Sequence, residues 1–421
     1  MFEKSLKVKL VISILTVGFL LTHILSLSVA LAENEVDEAL GTIIELFSDE
    51  NLAQAVAESL DSLDSEQIIT TMSTVTQNEL NAVEIINLSR DRIGTLDGIE
   101  NLVNLRQLDL SWNDINDLTP LSNLTNLEEL NLHSNSELSD LTGLEGLISL
   151  NELIIRATEV SDLSPLANLT NLERLILCIN EVSDLSPLSG LVNLTSLTLW
   201  GNEISDLSPL TNLVNLEFLY LSDNQIVDLT PLAGLENLRS LSLADNQIVD
   251  LTPLAYLANL EWLNLRRNEI IDLTPLGNLT NLTWLNLHSN QVNDLTPLSY
   301  LTNMQELALT GNESDDFTPL MNLSNLQYLR LLDGIVDDFK PICSILNEIR
   351  INERSRLILE IRHEDGSGLF DRSSDFIGRI DCEDVMSSDL NLILVFGLVS
   401  CAVLITIIIL KKVKNSKINA K

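Results

Sequence analysis

The sequence predicts an α/β solenoid of about twelve 22-residue units, running from Val83 to Asn347, and three observations predict it. The first is proline. All ten prolines of the 421-residue chain lie on one lattice: Pro120, Pro165, Pro187, and then every 22 residues to Pro341. The one irregular gap, 45 residues from Pro120 to Pro165, is two periods plus one residue, and Gly143 stands where the missing proline would be. The second is leucine. With proline at position 16, leucine-type residues fill positions 1, 4, 6, 11, 14, 17 and 20; in the ninth unit these are Leu260, Leu263, Leu265, Ile270, Leu273, Leu276 and Leu279. The third is a pair of polar fixtures in the same register, Asn at position 9 and Asp at position 13. Each unit carries one strand, whose Leu-x-Leu core alternates between inside and outside. A single unit cannot bury its leucines alone, so neighbours stack into one continuous core whose ends need caps.

The elements follow in chain order. Lys4, Lys7 and Lys9 precede an apolar run from Leu10 that ends at Ala30-Leu31-Ala32, so residues 1–32 read as a signal peptide cleaved after Ala32. The bland alternative is an uncleaved anchor. Residues 33–82 lack the repeat and predict a small helical cap. There Ser48 or Asp49 caps a helix carrying Leu52, Val56 and Leu60 on one face, and a second apolar group, Ile68, Ile69 and Met72, follows.

Within the repeats, 83–347, the Asn of position 9 is expected to satisfy backbone groups as the chain leaves the strand, and to stack as a ladder. Position 15 is nearly always Ser or Thr directly before Pro, which predicts a hydroxyl N-cap and a short helical turn on the convex side. Asp occupies position 13 in eleven consecutive units, from Asp117 to Asp338. Neighbouring carboxylates ~4.8 Å apart suggest a Ca²⁺ ladder. The alternative is a side chain bonding its own turn two or three residues ahead, and the link to the Ser/Thr-Pro turn favours this second reading. The third unit holds one extra residue within 135–140, which predicts a local bulge.

After the repeats, 348–389 form a flank and tether, with a last strand over Leu357–Leu359. Residues 390–410 are 21 residues without charge, enough to cross a bilayer as a helix. The lysine-rich tail 411–421 should face the cytoplasm, which places 33–389 outside a single-pass cell-membrane protein. No Leu-Pro-x-Thr-Gly sorting motif precedes the apolar segment.

Charge and cysteines narrow the function classes. Segment 33–389 holds sixteen basic and sixty acidic side chains, a net charge near −44. Such a surface repels nucleic acid and favours basic partners or cations. Cys343 and Cys382 flank the end of the array and can pair in an oxidising compartment, whereas no CxxC or Cys/His cluster suggests zinc. His133 and His288 share position 7 but lie seven units apart, and no nucleophile, base and orienter converge. The reading is therefore of a non-enzyme with no cofactor, no metal and no small-molecule substrate.

The unit LTSLTLWGNEISDLSPLTNLVN, 194–215, resembles the 22-residue leucine-rich repeat of the internalin family of bacterial surface proteins. Residues 46–105 are similar to that family's helical cap and first repeat. The resemblance implies a leucine-rich repeat horseshoe with a parallel sheet on its concave face, used to bind a protein. The chain departs from that family in lacking the sorting motif and an immunoglobulin-like segment after the repeats. The same repeat length occurs in cytosolic phosphatase regulators, and the predicted signal peptide and membrane helix argue against these.

On such a sheet, positions 3, 5 and 7 point outward onto the concave face. These three positions of 22 hold six of the eleven aromatics of the repeats: Trp200, Phe218, Tyr220, Trp262, Trp284 and Tyr328. Arg266 and Arg330 lie on the same face. Exposed Trp, Tyr and Arg are common binding anchors, so these eight residues form the candidate site for a protein partner. The bland reading is that the rings only pack on one another. Two further readings are a structural envelope protein without a specific ligand and a cation-binding module built on the Asp column. Cys178, also at position 7, reads as a small apolar filler.

Overall fold

A computed structural model of the chain describes residues 38–63, 68–330 and 358–360. The expected signal peptide 1–32, the cysteines Cys343 and Cys382, Asp338, the apolar segment 390–410 and the basic tail lie outside these residues. Among the described residues no helix is long and apolar enough to cross a membrane.

The repeat sheet is parallel and follows the chain strand by strand, with thirteen strands from Ile85–Asn87 to Ile358–Glu360. Twelve belong to the repeats. The thirteenth lies in the flank, one residue beyond the segment the sequence suggested. Equivalent positions pair throughout: Phe218 lies opposite Ser240, Ser240 opposite Trp262, and Trp262 opposite Trp284. A strict period leaves no other register that keeps every leucine inside. One hydrophobic cluster runs from Ile43 to Leu329 and includes Leu52, Leu108, Leu219, Leu263 and Leu307.

The Asn of position 9 works as a ladder. Asn268 accepts the Ile248 N–H at 3.0 Å and donates to Leu243 O at 2.9 Å and Leu265 O at 3.1 Å. Most of these amides thus satisfy three backbone groups; Asn180 instead accepts the Thr158 hydroxyl, because the preceding unit has Thr at position 9. A second ladder was not foreseen. The Asn of position 22 donates to the preceding unit's position 21, as Asn215 does to Val192 O and Asn237 to Val214 O.

The convex turns correct one expectation. Short 3₁₀ segments such as Thr230–Leu232 begin as predicted with Pro in the first turn, but the Ser/Thr hydroxyl caps none of them. The Asp of position 13 takes that place. Its carboxylate accepts the N–H two residues ahead at 2.8–2.9 Å in ten successive units, from Asp117 to Asp316. The Asp column is therefore a column of turns. Bonds from the Ser/Thr hydroxyl and then its N–H hold Asp162, Asp184, Asp228, Asp250, Asp294 and Asp316 below the ordinary carboxylate value.

Two units lack the proline, and both place glycine there in the left-handed region: Gly98 at φ +101° and Gly143 at φ +109°. Proline cannot adopt that angle. A Cβ on Gly143 would sit 2.3 Å from Leu118 O, and one on Gly98 would sit 2.2 Å from Leu46 O in the cap. The extra residue of the third unit is absorbed after Asn135, where Leu138 N–H bonds Asn135 O, and the sheet register passes it unbroken.

The N-terminal cap is built from α1 (Ile43–Leu46), α2 (Glu50–Leu63), α3 (Gln77–Leu80) and a two-stranded antiparallel pair, Ala39–Thr42 with Thr74–Thr76. Asp49 caps α2 through the N–H groups of Asn51 and Leu52, and its other oxygen accepts the N–H of Gly94 in the first unit. One side chain thus starts the helix and ties it to the repeats. Leu52, Val56 and Leu60 are buried as the pattern predicts. Ile68 and Met72 are not: they are 88 % and 71 % exposed, because that segment is a turn rather than a second helix face.

Candidate functional site

Position 8 directs what the outward face presents. In units one to eleven it is left-handed, from Arg90 at φ 69° to Gly311 at φ 68°. The chain leaves the strand there in each of these eleven units, so positions 3, 5 and 7 stay in three straight columns across the sheet.

The structure divides the eight predicted residues into groups. Tyr220, Trp262 and Trp284 form one layer. Trp262 stacks on Trp284 with ring centroids 4.3 Å apart and planes 12° apart. Tyr220 meets Trp262 edge to face at 6.3 Å, although a whole unit lies between them. That unit allows the approach because its outward residues are small: Ser240, Ser242 and Ala244 are 8 %, 5 % and 4 % exposed. Ser240 Oγ also donates to Tyr220 Oη at 3.2 Å. At the other end the Trp284 indole N–H donates to Glu306 Oε2 at 3.0 Å. The layer therefore spans five consecutive units, from the seventh to the eleventh.

The remaining members stand apart. Phe218 is in the predicted column and exposed, but the ring that reaches Trp262 is Tyr220. Trp200 lies under the Arg156 guanidinium at 5.3 Å. These two come from the fourth and sixth units and flank Cys178 of the fifth, which is buried. Burial pushes the Cys178 thiol up to about 11, against the opposing pull of Arg156, so it is a filler rather than a nucleophile. Arg330 lies over the Tyr328 ring at 4.9 Å, separated from Trp284 by the strand of Glu306.

Arg266 differs from its neighbours. Its Nε is buried and has no hydrogen-bond partner. Other arginines are engaged: Arg174 of the face with Glu152 at 3.0 Å, and Arg267, at position 8 beside it, with Asp245 at 3.3 Å. One group was missed from the sequence. Arg90 lies over the Trp112 ring at 5.1 Å, and Trp112 meets His133 edge to face, also at 5.1 Å. Trp112 is at position 8, outside the three columns considered. Its left-handed φ of 60° turns it back toward position 7 of the next unit. The run of Asp, Ser and Gly at position 8 elsewhere was the available signal for that conformation.

The fold and sequence match known proteins. The family model for leucine-rich repeats in two copies matches residues 103–146, 170–212, 192–234 and 214–256. An internalin (inlF) of Listeria monocytogenes is 30 % identical, superposes with a TM-score of 0.66, and is covered over 100 % of its length by 79 % of this chain. The leucine-rich repeat ectodomain of the Arabidopsis thaliana receptor kinase GASSHO1/SCHENGEN3, solved with CASPARIAN STRIP INTEGRITY FACTOR 2, is 26 % identical with a TM-score of 0.54. The match covers 66 % of this chain and 35 % of that one. A leucine-rich repeat protein of Leptospira interrogans, 24 % identical with a TM-score of 0.55 over 68 % of this chain and 86 % of that one, shares the fold. No curated protein matches the chain.

Proposed function

We propose that this chain, which belongs to the internalin family of leucine-rich repeat proteins, is a membrane-anchored surface protein that recognises or adheres to another protein through its concave face. Leucine-rich repeat proteins bind proteins, and the plant ectodomain similar to this one was solved with such a ligand. The observation that carries the reading is the layer Tyr220–Trp262–Trp284. The core does not need it: the leucines beneath, Leu219, Leu263 and Leu285, are fully buried whatever points outward. The rings do pack on each other, as the bland reading holds, yet each stays part-exposed and Phe218 beside them is 38 % exposed. A wide, pre-stacked aromatic surface loses little conformational freedom on binding, which is what a recognition anchor requires. Trp200, Tyr328, Arg266 and Arg330 extend the same face.

The apolar segment 390–410 with the basic tail 411–421 supplies the anchor in this reading, with the repeats outside the cell. The acidic surface speeds encounter with basic partners. The test is a pull-down from envelope and surrounding-cell extracts with the full chain, beside Trp262→Ala/Trp284→Ala. A protein retained by the native chain and lost from the double variant supports the reading. Equal recovery by both removes the aromatic layer from it, and recovery by neither favours a structural envelope protein.

A further inference from the structure

Building on the concave-face reading, we propose that Arg266 is the anchor for an acidic side chain of the partner, which reaches it from a segment that also covers the aromatic layer. Three observations converge on it. Among the described residues, Arg266 Nε is the one buried side-chain nitrogen or oxygen without a hydrogen-bond partner. A guanidinium presents five N–H donors in a fixed fork, and leaving a buried donor unmade is unfavourable. The neighbouring acidic side chain, Asp245, is taken by Arg267. The chain thus provides a part-exposed cation whose Nε is unpartnered and which forms no ion pair among the described residues.

The second observation is the charge of the column. Position 7 carries no acidic residue in units one to eleven, although acidic side chains outnumber basic ones 61 to 24 in the chain. It carries Arg156, Arg266, His133 and His288 instead. Position 3 shows the opposite net sign, with Glu129, Glu152 and Glu306 against one cation, Arg174, which Glu152 pairs at 3.0 Å. The face is therefore polar in the electrical sense: acidic and aromatic along one side, basic along the other.

The third is spacing. Trp262 and Arg266 lie four residues apart in the ninth unit, about 13 Å at strand rise. A partner segment lying along that unit places an apolar side chain on Tyr220 and Trp262 and an Asp or Glu on Arg266. A carboxylate meeting a guanidinium bidentately fixes direction as well as position. The protein's overall acidity selects basic partners at long range, while Arg266 orients them at contact.

The test uses the full chain in mild detergent and a phage library of random twelve-residue peptides fused through their C-termini, so that no free terminal carboxylate is present. The native chain should enrich peptides that combine an aromatic or aliphatic residue with a spaced Asp or Glu. Arg266→Gln should keep the apolar preference, lose the acidic one, and bind the selected peptides about tenfold more weakly or worse. Arg266→Lys, which keeps the charge without the fork, should fall between, and an unchanged unfolding midpoint shows that both variants are folded. Enrichment without acidic residues, or acidic enrichment that survives in Arg266→Gln, overturns the role of Arg266 and leaves the concave-face reading standing. No peptide enriched by the native chain and lost in Trp262→Ala/Trp284→Ala overturns both.

Discussion

Ile179 shows what the repeat demands of single residues. It holds φ at 54° in position 8, where Asp223, Asp245 and Ser289 take the same angle. A β-branched side chain is poorly suited to the left-handed region, which disfavours ordinary L-residues by roughly 1–2 kcal/mol. Ile179→Asp, matching units seven and eight, should raise stability by about 1 kcal/mol, seen as a higher denaturant midpoint at unchanged slope. Asn268 is the opposite case. Replacing it with Ala leaves Ile248 N–H, Leu243 O and Leu265 O without their side-chain partner, and should lower stability by about 3 kcal/mol in the same assay. The asparagine role was legible because residue type, position and burial all pointed one way. The left-handed position was not read, because Arg90, Trp112, Ala157, Ile179 and Arg267 mask a signal that Asp, Ser and Gly give at its other occurrences. Likewise the outward columns were read correctly from strand alternation, while the partners within them were not. Which ring meets Trp262 depends on the small residues of the unit between, Ser240 and Ser242, and not on Trp262 itself.

The turns carry the chain's acid sensitivity. Asp162, Asp184, Asp228, Asp250, Asp294 and Asp316 are held below the ordinary Asp value of 3.8, first by the neighbouring hydroxyl and then by its backbone N–H. The Thr142 N–H and then its hydroxyl do the same for Asp140. The unfolded chain therefore takes up these protons before the folded one does. The stabilisation is complete above 3.8 and disappears as pH falls through the lowered folded values. A thermal melt followed from neutral pH downward should stay level until about pH 4 and then drop. Added Ca²⁺ should leave the melting temperature unchanged, since these carboxylates already serve their own turns. The sequence placed Asp at the turn but gave the cap to the hydroxyl. Both residue types accept backbone N–H groups, and only the geometry of the Leu before the Ser/Thr decides between them. At Gly143 the backbone leaves no choice: Gly143→Ala drives a Cβ into Leu118 O and should destabilise the third unit by about 2–3 kcal/mol, reported by earlier proteolysis there.

At the scale of the whole molecule, the fixed period aligns the twelve repeat strands and turns isolated outward residues into columns. That architecture was readable from the prolines and leucines alone, because each repeat confirms the others. The cap was readable at α2, where a helical apolar stripe meets a capping Asp, and unreadable at Ile68 and Met72, where apolar type without periodicity said nothing about burial. The two ends of the array depend on what covers them, so Asp49→Ala, which releases both α2 and Gly94, should loosen the first units before the rest. The ring layer emerges only at this scale, since its members come from the seventh, ninth and tenth units and gain a common surface from the sheet. The most direct measurement places a photo-crosslinking residue at Asn264, beside Trp262 on the concave face, and separately at Gly234 on the convex side, where an added side chain meets open space. Cells displaying the full chain would be illuminated and the adducts identified. Concave-face binding predicts one recurrent protein adduct from Asn264 and none from Gly234. The same adducts from both positions, or an adduct from Gly234 alone, would contradict it.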